Sequence, residues 1–245
     1  MRRLFLLLSL LCLLFTISAQ QYTGMSGLIH VPSAEMDKEG DIRIGGHFLH
    51  KRFTPTMSFE HEKDPYHTFD CYLSITPFGW IELGYTTTFY KRPNQENRLK
   101  YNQKDRYFSL KVNPLREGIW WPAIALGAND FINSHFSLKE KTASGFFRNY
   151  YIAVTKHVQF KAGSLGFNIV YRHFKFEGSR KWNGVVGGIT YHPYFASNLR
   201  AIVEWTGDEI NAGVDCLLWE HFLIQASIQD GKYPSAGLGF LINLF

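Results

Sequence analysis

Apolar and polar residues alternate with a period of two along most of the chain. From Ile81 to Phe89 every second residue is apolar, aromatic or threonine, whereas the positions between them, from Glu82 to Thr88, carry glycine, threonine or a charge. Such alternation predicts a β-strand with one apolar and one polar side. The three- and four-residue spacing of a helix finds no comparable support, so the chain is predicted to be all-β.

About twelve runs of this kind follow one another, each roughly 8–11 residues long, which suits a tilted membrane-spanning strand. A tight turn at 76–80, with Pro77 and Gly79, joins the second run to the third as a hairpin. The runs cover residues 41–50, 68–75, 81–90, 107–113, 122–129, 149–156, 164–172, 184–191, 199–205, 211–218, 222–229 and 236–244.

The polar face of these strands is small and carries isolated charges of both signs, as the interior of a small barrel does. The polar face of a soluble sandwich looks out to bulk water and usually carries more Lys and Glu. Closure also removes exposed strand edges. We therefore predict an antiparallel transmembrane β-barrel of about twelve strands with a short N-terminal lead-in or plug segment. A soluble barrel is the alternative.

The composition is unusual for its high aromatic content, since 21 Phe, 13 Tyr and 6 Trp make up 16% of the 245 residues. The chain also contains 21 Gly. Many of the aromatic residues lie where strands end, which is typical of the two aromatic girdles at membrane interfaces. The predicted girdle residues are Trp80, Tyr90, Trp120, Trp121, Tyr191, Trp205, Trp219 and Phe245.

The first residues are predicted to direct export. Arg2 and Arg3 precede an apolar run from Leu4 to Ile17, and small residues at Ser18 and Ala19 suit a cleavage site. The run is shorter than the roughly 20 residues that a spanning helix needs. We predict a signal peptide at 1–19, an N-terminal lead-in at 20–40 and an outer-membrane barrel at 41–245.

The charge balance predicts neither nucleic acid nor another strongly charged partner. The whole chain has a net charge of +5, which falls to +3 without the two arginines of the signal peptide. Cys71 and Cys216 lie in alternating runs beside apolar neighbours, so we interpret them as buried or lipid-facing thiols, although export permits a disulfide.

Links of two lengths separate the strands. The longer polar links at 91–105, 133–145 and 176–181 are predicted to be external loops. The short links at 76–80 and 220–221 are predicted to be periplasmic turns.

Six charged residues are predicted to point into the lumen, where they either line a narrow path or hold a salt-bridged plug. Three inward tyrosines, Tyr72, Tyr90 and Tyr151, are candidates for stacking on sugar rings along such a path. A satisfied polar core that merely holds the barrel closed is the alternative. The lumen charges are Asp70, Glu82, Arg172, Arg200, Glu204 and Asp215.

Catalytic and metal chemistry have little support in the sequence. The ten histidines show no ligand spacing, so no metal and no cofactor are expected. His135 and Ser137, followed by Glu140, place a base and a hydroxyl two positions apart, as lipid-hydrolysing barrels do. That stretch is loop-like and lacks the usual neighbours, so no catalytic residues are predicted.

Several segments resemble YjbH-like outer-membrane proteins, a family linked to exopolysaccharide and capsule biosynthesis. The resemblance covers roughly residues 24–245, and its segments follow one another in the family's order. They are 27–29 (Gly-Leu-Ile), 32–36 (Pro-Ser-Ala-Glu-Met), 40–41 (Gly-Asp), 80–85 (Trp-Ile-Glu-Leu-Gly-Tyr), 122–131 (Pro-Ala-Ile-Ala-Leu-Gly-Ala-Asn-Asp-Phe), 151–156 (Tyr-Ile-Ala-Val-Thr-Lys), 204–208 (Glu-Trp-Thr-Gly-Asp) and 211–214 (Asn-Ala-Gly-Val).

The resemblance implies a non-enzymatic barrel in the outer membrane that assists secretion or assembly of a surface exopolysaccharide or capsule. The expected partners are outer-membrane lipid, the polysaccharide and other proteins of the export machinery. A general small-solute channel or structural barrel is the second hypothesis. A lipid-modifying barrel hydrolase is the third.

Overall fold

The computed structural model describes residues 19–53, 66–93, 98–133, 145–175 and 177–245. Two short strands, β1 (Ala19–Gln20) and β2 (Ser26–Gly27), pair with each other near the start. The remaining strands are β3 (Asp41–Leu49), β4 (Thr68–Phe78), β5 (Ile81–Pro93), β6 (Leu99–Leu115), β7 (Ala123–Asn133), β8 (Asn149–Phe160), β9 (Gly163–Phe174), β10 (Gly184–Pro193), β11 (Leu199–Trp205), β12 (Ile210–Leu218), β13 (Phe222–Gln229) and β14 (Tyr233–Asn243).

Within these ranges β3 to β14 form one closed barrel. Each strand pairs antiparallel with its neighbours in the chain, and β14 pairs with β3 from Asn243 opposite Asp41 to Ala236 opposite Phe48. Closure leaves no strand edge exposed in the wall. The prediction of a closed antiparallel barrel of about twelve strands is confirmed.

The period-two pattern separates the two faces of the wall. In β4 the side chains of Asp70 and Tyr72 are buried inside, whereas Phe69 and Leu73 point outward and are each 44% exposed. The same alternation recurs around the barrel, so the outer surface is a band of large apolar side chains. Soluble monomers rarely expose an apolar surface of this extent.

The links between strands lie alternately at two ends. The short-turn end holds the links at 79–80, 116–122, 161–162, 194–198 and 219–221, and the long-link end holds those that follow β3, β5, β7, β9, β11 and β13. At the short-turn end Trp219 and Glu220 have φ values of 50° and 65°. Two successive positive φ angles give the type I′ turn, whose twist matches that of the flanking strands.

Two predictions made from the sequence are wrong. The stretch 91–105, predicted to be a loop, mostly continues β5 and β6 as a long hairpin, because cross-strand pairing persists to Pro93 opposite Leu99. Tyr90 is 2% exposed and points inward, so it is not a girdle residue. Trp120 and Trp219 do lie at strand ends on the outside, 88% and 78% exposed.

Most of the predicted signal peptide, residues 1–18, lies outside the described residues. Among the residues that are described, no helix is long and apolar enough to cross a membrane. In the part of the chain that the structure describes, 3-10 helices at Glu177–Trp182 and Tyr194–Ala196 follow β9 and β10.

Candidate functional site: the plugged barrel lumen

Residues 20–40 run through the inside of the barrel, and this segment is called the plug below. Its residues 20–34 are all buried. Its polar groups bond to inward side chains of strands on every side of the barrel, namely β4, β5, β6, β8, β9, β11 and β13. The predicted lead-in therefore lies within the lumen.

One cluster of apolar plug side chains packs against the β7 to β11 side of the wall. Leu28, Ile29 and Val31 belong to this buried cluster, whose wall members are small or branched residues and one tyrosine. Because several of these wall positions are alanines, the wall leaves room for the plug there. The wall members of the cluster are Ala123, Ala125, Tyr151, Ala153, Val170, Val186 and Ile202.

Glu204 on β11 holds the plug by its backbone. Its carboxylate accepts hydrogen bonds from three consecutive N–H groups, those of Ile29 at 3.0 Å, His30 at 2.9 Å and Val31 at 3.0 Å. Asn211 on β12 donates to the same carboxylate at 2.9 Å. Consecutive N–H groups that converge in this way form an anion-binding concavity, and bonds to a charged acceptor are the stronger kind.

Two arginines bind the carbonyls of the plug. Arg172 donates to His30 O at 2.8 Å, and its other nitrogens donate to Trp182 O and Thr206 O. Arg200 donates to Gly27 O at 2.8 Å. Both guanidinium groups are buried, so each uses several of its five donors on fixed acceptors.

Arg200 is also the centre of an ion-pair network. It contacts Asp215 on β12 and Glu35 of the plug, each at 3.0 Å. Asp215 therefore balances the charge of Arg200 from the wall, and Glu35 balances it from the plug.

Glu82 on β5 and Lys111 on β6 clamp the start of the plug. The two side chains are 2.8 Å apart and neither is exposed. Glu82 accepts hydrogen bonds from the N–H and the hydroxyl of Ser26 at 2.7 and 2.6 Å. Lys111 donates to the carbonyl oxygens of Ser26 and Glu35 at 3.0 and 2.7 Å.

Asp70 and Asp215 are the two predicted lumen charges that form no hydrogen bond to the plug among the described residues. Asp215 instead binds Arg200, and Asp70 accepts bonds from the N–H and the ring Nδ1 of His47 at 2.9 and 3.1 Å. The structure thus places all six predicted charges inside the barrel and brings four of them, Glu82, Arg172, Arg200 and Glu204, onto the plug.

At the short-turn end, His157 bridges two carboxylates. Its Nε2 lies 3.0 Å from Glu35, and its Nδ1 lies 2.6 Å from Glu117 in the β6–β7 link. Burial alone would raise the pKa of Glu35, but the hydrogen bond from His157 and the charge of Arg200 outweigh it and lower this pKa to about 2. The pKa of Glu117 is lowered for the same reason, since its bonds to His157 outweigh its partial burial.

The three inward tyrosines are enclosed. Tyr72 stacks on His47 with ring centroids 5.2 Å apart, Tyr90 meets Phe146 edge-on at 5.8 Å, and the Tyr151 ring lies over Gly127. Each ring is 5% exposed or less. Stacking on a sugar, which stays a prediction, would therefore require that these contacts open.

Several plug contacts escaped the sequence analysis. Lys111 alternates with apolar residues on β6, and this inward position is the signal that would have found it. Asn113 and Asn168 bond to Ala34 O and Pro32 O at 2.7 and 2.6 Å. Thr155 accepts from Ala34 N at 2.8 Å. Small polar residues at inward strand positions are too common for the sequence to single these out.

The structure gives no test of the hydrolase hypothesis, because His135, Ser137 and Glu140 lie outside the described residues. Within the described ranges, no group of three or more His, Cys, Asp or Glu side chains is arranged to hold a metal ion.

The fold and the site together define a closed antiparallel β-barrel whose lumen is filled by its own N-terminal segment. The family model described as "Exopolysaccharide biosynthesis protein YbjH" matches residues 19–244. The chain therefore belongs to the YjbH family of exopolysaccharide biosynthesis proteins, and the resemblance found in the sequence is confirmed.

Other comparisons add little. No significant match to a curated protein was found. Among solved structures, the chain is similar at 10% identity to outer membrane phospholipase A from Escherichia coli, with a TM-score of 0.35 over 86% of this chain and 99% of that one. The Salmonella typhi phospholipase dimer with bound calcium has 10% identity and a TM-score of 0.33 over 84% and 91%. The N-terminal β-barrel domain of Pseudomonas aeruginosa OprF has 10% identity and a TM-score of 0.27 over 84% and 100%. Nothing about activity follows from likenesses this distant.

Proposed function

We propose that this chain is an outer-membrane barrel that assists the secretion or assembly of a surface exopolysaccharide or capsule, and that it does so without catalysis. Membership of an exopolysaccharide biosynthesis family supports the general role. The apolar outer surface supports insertion in a membrane, because it would contact lipid. The closed barrel supports it too, because every backbone hydrogen bond of the strands can be formed within the wall.

The observation that carries the proposal is the anchored plug. A barrel of this size has limited interior space, and residues 20–40 occupy it. The anchoring groups of the wall are mainly charged side chains, and they bind backbone N–H and C=O groups of the plug. The hydroxyl groups of a glycan can form hydrogen bonds with the same charged side chains in place of those backbone groups. We propose that the plug controls access to the lumen and is displaced when polysaccharide or a partner of the export machinery binds.

The alternative is a structural barrel or a general small-solute channel. The filled lumen does not favour an open channel, whereas the same anchoring suits a barrel that is permanently closed. A lipid-modifying hydrolase stays the third hypothesis, since its candidate residues lie outside the described ranges.

Location is tested first. The full-length protein is expected in the outer-membrane fraction and should migrate faster on a gel when it is not boiled, as folded barrels do. Recovery of the protein in the soluble periplasmic fraction would contradict the proposed outer-membrane location, on which the proposed role depends.

The role is tested by deleting the gene and measuring surface polysaccharide. We expect a clear loss that the wild-type gene restores. A deletion strain with unchanged surface polysaccharide but a leaky envelope would favour the structural barrel. A large, steady current through the wild-type protein in a planar bilayer would favour the channel.

A further inference from the structure

Exposed cations gather on the outer face of the β5–β6 hairpin, beyond the apolar band. Lys104 and Arg106 are exposed, and Lys91, which lies opposite the outward Tyr101, is half-exposed. Lys104 lies opposite Phe89, and Arg106 lies opposite Thr87. Two residues further along β6 the outward position is Phe108, which is 48% exposed. The cations therefore continue the outward row of the wall and do not face the mouth of the lumen.

Aromatic rings lie directly beneath several of these cations. The Nζ of Lys104 is 5.4 Å from the centroid of the Phe89 ring. Lys91 lies between two rings, 5.2 Å from Tyr66 and 5.1 Å from Tyr101. Aromatic side chains mark the level of the lipid headgroups, and cations just beyond them stand at the level where headgroup phosphates lie.

The same arrangement recurs further round the wall. Lys175, which follows β9, has its Nζ 5.4 Å from the centroid of the outward Tyr150 ring on β8. The positive surface thus extends along the long-link end from β5 towards β9.

Carboxylates at this level are inside the barrel. In the long-link half of β4 to β9, the described acidic residues are Asp70, Asp105 and Asp130, and each is 5% exposed or less. Lys91, Lys104 and Arg106 form no salt bridge with a described residue. The wall therefore separates charge, with cations outside and carboxylates within, and the outer positive charge is not neutralised by the described part of the chain.

We propose that this face, formed by Lys91, Lys104 and Arg106, binds the phosphate groups of an anionic lipid in the leaflet at the long-link end. Lysine and arginine are the side chains that bind phosphate. Because these cations adjoin the outward aromatic rings at the edge of the apolar band, a membrane lipid is favoured as the ligand over a soluble acidic glycan. The proposal rests on the proposed outer-membrane location, and it adds the class of lipid that surrounds the barrel.

The test uses full-length protein in phosphatidylcholine nanodiscs that contain either diphosphoryl lipid A or its dephosphorylated form. Binding is counted by native mass spectrometry, and folding is checked by the migration of unboiled samples. We expect preference for the phosphorylated lipid. For the variant Lys91→Gln/Lys104→Gln/Arg106→Gln we expect roughly tenfold to a hundredfold weaker binding, since each cation near an anionic surface contributes measurably. The loss should be smaller at high salt.

The matched control is Arg116→Gln/Lys161→Gln/Lys232→Gln. It removes three exposed cations elsewhere on the barrel, so it changes the net charge equally and should bind like the wild type. Equal binding of both lipids, equal losses in both variants, or binding of a soluble acidic polysaccharide in place of the lipid would each overturn the proposal. None of these results depends on the polysaccharide phenotype, so this proposal and the proposed role can fail separately.

Discussion

Lys111 lies directly opposite Glu82 on the neighbouring strand, and its Nζ is 2.8 Å from the Glu82 carboxylate with neither side chain exposed. Ser26 of the plug bonds to both residues. One cross-strand ion pair therefore joins two strands of the wall and the plug. Its loss should lower the stability of the barrel and change the position of the plug.

Replacing Lys111 alone should be strongly destabilising. The variant Lys111→Met leaves the Glu82 carboxylate buried without its counter-charge, which typically costs about 3–5 kcal/mol. Urea unfolding in detergent micelles, followed by the migration of unboiled samples, measures the change. Removing both charges in Glu82→Gln/Lys111→Met should recover much of the loss. The exposed lysine variant Lys104→Met is the control and should unfold like the wild type.

Replacing Glu204 should loosen the plug more than the wall. The variant Glu204→Gln keeps the shape of the side chain but loses the charge that the N–H groups of Ile29, His30 and Val31 share at one carboxylate oxygen. Its amide N–H₂ takes the place of the other oxygen and cannot accept the hydrogen bonds that His30 and Asn211 donate there. We expect brief current bursts in planar bilayers where the wild type stays closed, and faster exchange of the amide hydrogens of Ile29, His30 and Val31. The exposed control Glu220→Gln should behave like the wild type. Unchanged exchange in Glu204→Gln would show that this carboxylate does not anchor the plug.

The plug should loosen in acid because of Glu35. This carboxyl belongs to the plug, and its pKa is lowered to about 2 from an ordinary 4.5. An acid whose folded pKa is depressed stabilises the fold above its ordinary pKa and loses that contribution as pH falls through the folded value. A shift of this size corresponds to about 3 kcal/mol. The contribution of Glu35 to the protection of the plug from hydrogen exchange, once corrected for the intrinsic rate, should therefore stay constant from pH 7 to pH 5 and decline below pH 4.5.

The variant Glu35→Gln isolates this effect from other titrating groups. Its plug should be less protected at neutral pH, and the difference from the wild type should shrink as the pH falls towards 2. A difference that is the same at pH 7 and pH 2.5 would mean that the ionisation of Glu35 does not stabilise the plug.

Gly127 should resist substitution because of Tyr151. A Cβ atom at position 127 would meet the Tyr151 ring, which is buried inside the barrel. Gly127→Ala should therefore destabilise the barrel by about 1–3 kcal/mol, the usual cost of overpacking. In the double variant Gly127→Ala/Tyr151→Leu the smaller side chain leaves room, so its unfolding midpoint should differ little from that of Tyr151→Leu alone. If Gly127→Ala unfolds like the wild type, the close approach of ring and backbone is not a constraint.

The sequence by itself determined the strands and their two faces. Alternation is a local property, since successive side chains of a strand point to opposite sides. The alternation therefore identified the inward position of Arg200, Glu204 and the other lumen charges without any knowledge of which strands pair. It could not show that β5 and β6 continue into a longer hairpin, because polar residues beyond the apolar band look the same in a loop and in an extended strand.

Only the tertiary structure decided what the inward charges hold. Glu204 binds amides that precede it by 173 to 175 residues, and those amides belong to the backbone, which carries no signal in the residue types. The partnership of Lys111 with Glu82 depends on strand register, and that of Arg200 with Glu35 depends on the path of the plug through the closed lumen. A local pattern fixes which way a side chain points, but the group that it meets depends on contacts between distant parts of the chain.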